Sequence, residues 1–307
     1  MSDPSSKKQP ITNAGDIAMS RVGLGCASAW GQTWFDENEA IAIVRRSIEL
    51  GVTVFDTGSS YSNGNAEPRL AKSLRGVELD RLLISTKVGT HIGINGKLYH
   101  DLKRKAVLDS VENSRRRLNM DSIPLLYLHG PRKTELNSEL LDTLFDMRNR
   151  GWIRRIGVNS FDTDVLESLA DIELIDVVML DYNVLRSHRE SLIAKLAQSG
   201  KVVVAGAAIA NHLYKPGFFF PKSKADVWYV LRALKNYRGD LLRARKFASV
   251  GTCDGWTQAQ VALAFVLSND KVSAAMFSTT RLHHLEENIA ACELDLTDLL
   301  VSQIRSL

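Results

Sequence analysis

Short apolar runs and amphipathic stretches alternate along most of this chain. Strand-like runs fall at Val22–Cys26, Thr53–Asp56, Leu82–Lys87, Leu125–His129, Arg155–Val158, Asp176–Leu180, Lys201–Gly206 and Val272–Phe277. Between them, apolar residues recur at helical spacing over Glu39–Leu50, Pro68–Arg75, Arg104–Leu118, Asn137–Asn149, Asp164–Ala170, Arg189–Gln198 and Thr257–Leu267. Strands that are apolar on both faces and separated by helices imply a parallel sheet covered by those helices. Eight such strands predict an α/β fold closed into a (β/α)8 TIM barrel.

A doubly wound open sheet is the competing architecture. A nucleotide-binding sheet of that kind carries Gly-x-Gly-x-x-Gly after its first strand, and Gly23-Leu24-Gly25-Cys26-Ala27-Ser28 lacks the third glycine. The barrel is therefore favoured, as a single domain over 1–307 with 1–10 as a disordered leader. Ile11–Ser20 predicts a hairpin turning through Asn13-Ala14-Gly15-Asp16, and the tail after Phe277 predicts one or two further helices. The stretch 208–255 is too long for an ordinary connection and contains a basic, helix-like segment, Ala225–Phe247. It follows the seventh strand, on the face where barrel enzymes keep their sites, and reads either as a helix packed on the barrel wall or as a lid over a ligand.

Composition narrows the function classes. Of 307 residues 45% are hydrophobic, enough for a large core, and the 39 Lys and Arg against 35 Asp and Glu leave a formal charge of +4 without a basic stripe, so no nucleic-acid partner is expected. Three widely spaced cysteines, Cys26, Cys253 and Cys292, form neither a CxxC pair nor a Cys/His cluster, so neither a disulfide framework nor a metal site is expected. The polar start and the lack of any stretch of ~18 apolar residues predict a cytoplasmic protein without a membrane span.

Polar residues end three successive strands: Asp56, Lys87 and His129. Tyr61 lies in a Gly, Ser and Asn loop shortly after Asp56. In a barrel those strand ends converge on one mouth. Singly, each has an ordinary reading: a turn cap, a snorkelling lysine, a satisfied histidine. Together they suit proton transfer, because an ammonium beside a phenol favours the phenolate and a carboxylate keeps the ammonium charged and oriented. His129 would then position a carbonyl oxygen. A carbonyl that gains a proton at oxygen also needs a hydride at carbon, which no side chain donates, so a nicotinamide cofactor is implied.

The stretch Phe55-Asp56-Thr57-Gly58-Ser59-Ser60-Tyr61-Ser62-Asn63-Gly64-Asn65-Ala66-Glu67, with Lys87 in Ser-Thr-Lys-Val-Gly and His129 in Leu-Tyr-Leu-His-Gly-Pro, resembles the aldo-keto reductase superfamily. The resemblance runs from about Arg21 to Ala291 and points to the branch of sugar dehydrogenases and pyridoxal-reductase-like members. It implies a barrel oxidoreductase interconverting carbonyl and alcohol, with Asp56, Tyr61, Lys87 and His129 as the catalytic set. It also implies NADP as cofactor, with NAD possible. Gly157-Val158-Asn159-Ser160 is similar to the segment that binds the nicotinamide carboxamide, in reversed polar order, while Met179 stands where a carboxamide-binding Gln is usual. Gly206, Ala207 and Ala208 stand where the family often has a stacking aromatic, and Cys26 and Asp56 also fall among cofactor-binding positions.

Phe277 to Asn288 is similar to the family's adenosine-phosphate segment: a strand, a hydroxyl-rich turn and a helix start, where free N–H groups and the helix dipole favour an anion. On that resemblance Ser278, Thr279, Thr280, Arg281, His284, Glu287 and Asn288 bind cofactor, Arg281 at a 2′-phosphate. Trp30 and Trp34 lie where the resemblance places a substrate loop, although each suits a core position equally. The implied partner is a small carbonyl compound or sugar. The alternatives are a redox-neutral sugar-converting enzyme with tightly held nicotinamide, and a non-catalytic NADP-binding regulatory subunit on the same fold.

Overall fold

The computed structural model describes residues 11–14, 17–215, 217–221, 227, 230, 231, 233–235 and 238–307. Its strands are β1 (Ile11–Ala14), β2 (Ile17–Ser20), β3 (Val22–Gly25), β4 (Val54–Asp56), β5 (Leu83–Val88), β6 (Thr90–Ile92), β7 (Leu98–His100), β8 (Ile123–His129), β9 (Ile153–Asn159), β10 (Val177–Asp181), β11 (Val202–Gly206) and β12 (Ala274–Phe277). Strands β3, β4, β5, β8, β9, β10, β11 and β12 pair in that order, each parallel to the next, and β12 closes on β3. The sequence places all eight, with small shifts at the ends.

Between the strands run helices Glu37–Glu49, Ala66–Ser73, Arg104–Leu118, Ser138–Asn149, Thr163–Ser168, Glu190–Gln198 and Gln258–Leu267, all expected from apolar spacing. Side-chain caps set their starts: Asp36, Asn137, Asp162 and Thr257 each accept a backbone N–H from the first turn. The tail forms two helices, Leu282–Ala290 and Asp298–Arg305. The β6–β7 hairpin was not anticipated, because three-residue strands separated by Gly93 to Lys97 carry too short an alternation to be read.

Two apolar layers hold the barrel. Side chains alternate across each strand. Leu24, Phe55, Ile84, Leu126, Leu128, Ile156, Val158, Val178, Leu180, Val203 and Phe277 pack outward against the helices. Val54, Leu125, Tyr127, Val177, Met179, Val202, Val204, Ala274 and Met276 fill the interior. Room for the larger interior groups comes from glycines opposite them: a Cβ on Gly157 would lie 2.5 Å from the Tyr127 ring, and one on Gly23 would lie 2.5 Å from Met276 Sδ.

The expected hairpin is present as β1 and β2, antiparallel, with Gly15-Asp16 of its turn outside the described residues. It closes the N-terminal end of the barrel. Met19 is fully buried in the interior cluster, worth about 1.5–3 kcal/mol for a side chain of that kind. Ser20 and Thr53 fasten it reciprocally, each backbone N–H donating to the other's hydroxyl at 2.8 and 2.9 Å.

Of the helix-like segment Ala225–Phe247, positions 227, 230, 231 and 233–235 are helical, a 3-10 turn covers Arg238–Asp240 and a helix covers Leu241–Val250; the rest lies outside the described residues, as does the leader 1–10. Phe247 is buried edge-on to Tyr214, ring centres 4.8 Å apart, and both join the outer apolar layer. Leu241–Val250 therefore packs on the barrel wall. Arg186 ties its start to the barrel, bonding Asp240 at 2.9 Å and also Asp181, the last residue of β10.

Candidate active site

The alternation that fills the interior also builds the mouth. The inward row of β4 runs from Val54 to Asp56, that of β5 through Ser85 to Lys87, and that of β8 through Leu125 and Tyr127 to His129. Inward rows on β9, β10 and β11 end at Asn159, Asp181 and Gly206. Registers place Asp56 opposite Ser85, Lys87 opposite Tyr127 and His129 opposite Asn159, so the polar ends meet above an apolar floor.

Lys87 is 3% exposed and its ammonium is fully engaged on one side: it donates to Asp56 Oδ2 and, at 2.8 Å, to the Thr57 carbonyl. Ser85 donates to the other Asp56 oxygen at 2.7 Å. On its remaining side the ammonium lies 4.8 Å from the centre of the Tyr61 ring. Burial disfavours the charge on Lys87, but attraction and hydrogen bonding to Asp56 and Tyr61 outweigh it and hold the pKa above the ordinary lysine value. Tyr61 sits at the start of the turn Tyr61–Gly64, its N–H bonded to the Gly58 carbonyl at 3.0 Å and its ring over Gly58, where a Cβ would come within 3.2 Å.

His129 meets Tyr61 edge to face, centres 5.8 Å apart and planes at 81°. Its pKa falls to about 4, through burial first and then the Lys87 and His100 charges. Near neutrality it is an uncharged imidazole. The four residues that the sequence singled out for chemistry thus come together.

Behind them lies a polar layer to which the sequence reading assigned no role, although Glu67 closes the motif that carries the resemblance. Glu67 is fully buried, accepts from Thr86 at 2.6 Å and faces Arg117 at 3.4 Å; Arg117 also reaches the Ser59 carbonyl, and Ser59 donates to the Lys87 carbonyl at 3.0 Å. Arg69, 3% exposed, donates to the carbonyls of Trp30, Gln32 and Phe35 and so fixes the loop after β3. Asp181 is 2% exposed and paired with Arg186 and, at 3.1 Å, with Arg189. An acid ending an apolar strand, the signal read at Asp56, marks Asp181 as well.

The expected cofactor positions divide. Asn159 Nδ2 donates to the Met179 carbonyl at 3.3 Å, which turns its Oδ1 into an acceptor suited to a carboxamide N–H. Ser160 is 4% exposed and its Oγ accepts from the Asp162 N–H at 3.2 Å. Met179 packs in the interior cluster beneath Gly206 and offers nothing polar in place of a Gln. Ala207 takes a left-handed conformation, φ 52°, while Ala208 is fully buried with its N–H bonded to the Met276 carbonyl at 3.3 Å.

At the end of β12, Ser278 donates to the Gly25 carbonyl at 2.7 Å and Thr279 accepts from the Arg281 N–H at 3.1 Å; Thr280, Glu287 and His284 are half-buried, Arg281 is exposed and Asn288 is buried. A hydroxyl-lined turn with Arg281 and two histidines at a helix start has the donor chemistry for a phosphate.

Two expected residues lie away from the mouth. Cys26 follows the outward row of β3, is fully buried, and has its N–H bonded to the Asp56 carbonyl and its carbonyl to Thr57 Oγ1. Burial, then the Asp56 charge, pushes its thiol pKa well up. Trp30 is 1% exposed with its indole N–H donated to the Ala40 carbonyl at 3.1 Å, so it is core, whereas Trp34 is 58% exposed.

A parallel barrel with an acid, a base, an imidazole and a phenol gathered at its C-terminal mouth defines the class. The Aldo/keto reductase family model matches residues 21–307, and the chain belongs to that family. Among curated relatives it is 26% identical over 292 residues to L-galactose dehydrogenase of Arabidopsis thaliana, covering 90% of this chain and 85% of that one. It is 26% identical over 189 residues to aldo-keto reductase YhdN of Bacillus subtilis, a match spanning 61% of this chain and 57% of the relative. Among solved structures, aldo-keto reductase AKR11C1 from Bacillus halodurans, in its holo form, superposes with a TM-score of 0.81 at 24% identity, over 98% of this chain and 95% of that one.

Proposed function

We propose that this chain interconverts a carbonyl and an alcohol with NADP(H), Tyr61 being the residue that gives or takes the proton at the substrate oxygen. One observation carries the reading: a buried ammonium, locked to Asp56 and Thr57, faces the Tyr61 ring at 4.8 Å beside a neutral His129.

The cofactor supplies hydride at the carbonyl carbon. Everything else belongs to the protein. Lys87 stabilises the phenolate that remains when the Tyr61 proton leaves, and Asp56 keeps Lys87 charged and in place. His129, uncharged, hydrogen-bonds the substrate oxygen and orients it toward Tyr61 without competing as an acid. Asn159 and Ser160 would hold the carboxamide, the small residues Gly206 and Ala207 would leave room for the ring, and Arg281 with Thr279 and Thr280 would hold the adenosine phosphate.

The sugar-dehydrogenase likeness favours an aldehyde, ketone or sugar as substrate, with exposed Trp34 offering an apolar face at the loop after β3. The test is to follow NADPH consumption with a panel of carbonyl compounds and sugars, and NADP+ reduction with the matching alcohols. Turnover of any member in step with the nucleotide supports the reading; product formed with no net change in nucleotide identifies the redox-neutral alternative, and NADPH bound without turnover identifies the regulatory one.

A further inference from the structure

Local preference does not hold the chain around Tyr61 in shape. Ser62 and Asn63 are both left-handed, at φ 52° and φ 56°, and Gly64 follows at φ 84°. A residue with a side chain is disfavoured there and persists where its surroundings over-determine it. On one side the loop after β3 does so: Ser62 donates to the Ser28 carbonyl at 3.0 Å and Asn65 to the Gly31 carbonyl at 2.7 Å.

On the other side runs a closed circuit. Ser59, two residues before Tyr61, donates to the Lys87 carbonyl at 3.0 Å, and its own carbonyl accepts from Arg117 Nη1 at 3.3 Å. The same nitrogen lies 3.4 Å from Glu67, Glu67 accepts from Thr86 at 2.6 Å, and Thr86 is the chain neighbour of Lys87. Lys87 sends its ammonium inward to Asp56, whereas Thr86, in step with Ile84, faces out of the barrel. Strand β5 is thus gripped at two consecutive residues, and the grip ends on the loop that carries Tyr61. Glu67 is fully buried while the Arg117 side chain is 41% exposed, so a carboxylate taken out of water draws the guanidinium inward and fixes where it stands. Among the described residues Arg117 is the ion-pair partner of Glu67.

We propose that Arg117, on helix Arg104–Leu118, is a positioning residue for the proton transfer: through Ser59 it sets the separation between the Tyr61 ring and the Lys87 ammonium. This rests on the reading of Tyr61 given above. Asp56 and the Thr57 carbonyl hold the ammonium from its far side, so releasing Ser59 moves the phenol and leaves the charge in place. The attraction that favours the phenolate weakens as the two draw apart.

The experiment pairs two substitutions. Arg117→Met takes away the donor and leaves Glu67 buried without a cation, so stability is expected to fall. Adding Glu67→Gln removes the uncompensated charge and should return the stability without returning the bond to Ser59. In the double variant the maximal rate is expected to lie about 10-fold to about 100-fold below the parent, the effect of a small misplacement, with the NADPH Kd unchanged. The acidic limb of alcohol oxidation, which needs the phenolate, should move to higher pH. Amide hydrogen exchange over residues 57–65 should quicken while the barrel strands keep their protection. Arg117→Lys, which keeps a donor and the charge, should recover part of the rate.

A double variant whose rate and pH profile return to parental values along with its stability, or whose exchange over 57–65 is unchanged, overturns the inference and leaves the reading of Tyr61 standing. Parental turnover in Tyr61→Phe overturns both.

Discussion

Lys87 and Tyr61 face each other at 4.8 Å, ammonium to ring centre, with the ammonium's other side bonded to Asp56 and to the Thr57 carbonyl. The charge is therefore fixed before any substrate arrives, and it points at the one phenol in the loop.

Tyr61→Phe keeps the ring that touches His129 and removes the hydroxyl proposed to move the proton. Turnover should fall by about 10² to 10⁴, the usual worth of a positioned acid or base, with NADPH affinity unchanged. Steady-state rates beside a binding titration check this, and wild-type turnover in the variant removes Tyr61 from the mechanism.

Asp56→Asn leaves Lys87 buried without its charge partner. The Lys87 pKa, now held up chiefly by Asp56 against burial, should drop, so activity that needs the ammonium is lost at a lower pH and the alkaline limb of the rate profile moves toward neutrality. Stability should fall by about 3 to 5 kcal/mol, as for other broken buried pairs. A pH–rate series and denaturant unfolding measure the two effects separately.

His129 titrates at about 4 in the folded chain against 6.5 for an ordinary histidine. The unfolded chain thus binds the proton more readily between those values, and stability contributed by the neutral ring is full above 6.5 and declines as pH falls toward 4. His129→Gln should lessen the loss of thermal stability on acidification; an identical decline in both proteins would show that His129 is not responsible.

Gly157→Ala would place a Cβ 2.5 Å from the Tyr127 ring, which lies under Lys87 with 5.8 Å between ammonium and ring centre. Overpacking of this kind costs about 1–3 kcal/mol and should also disturb Lys87. Adding Tyr127→Leu should restore part of the stability. If unfolding midpoints show the single variant to be as stable as the parent, the close packing of Gly157 on Tyr127 does not constrain the barrel.

Arg69→Met removes the donors that gather the Trp30, Gln32 and Phe35 carbonyls. Leaving such acceptors without partners costs about 1–3 kcal/mol, and the loop carrying Trp34 should become open to proteolysis before the barrel unfolds. Timed digestion with mapping of the first cut checks this; a first cut elsewhere counts against Arg69 as the fastening.

The barrel was legible because its strands are buried on both faces and its helices on one, which gives the two kinds of segment different apolar periods. Asp56, Lys87 and His129 stood out because a polar side chain interrupted an apolar run at its C-terminal end. The same test applied to Leu180-Asp181 would have found Asp181. Cys26 was placed at the mouth for a different reason: nearness in sequence does not say which side of the strand a residue faces, and counting from the inward Gly23 and Gly25 puts it outside, while for Trp30, in the turn Ser28–Gly31, the sequence left core and substrate loop equally open. Arg69 and Arg117 act through carbonyls of distant segments, and such partners leave no spacing to read.

Met19 and the hairpin that carries it close one end of the barrel, while the reactive groups stand at the other. Traffic therefore has a single door. With the interior between them packed by side chains, the groups at the mouth are open to the surroundings from one side only, and the hairpin seals the floor on which they stand.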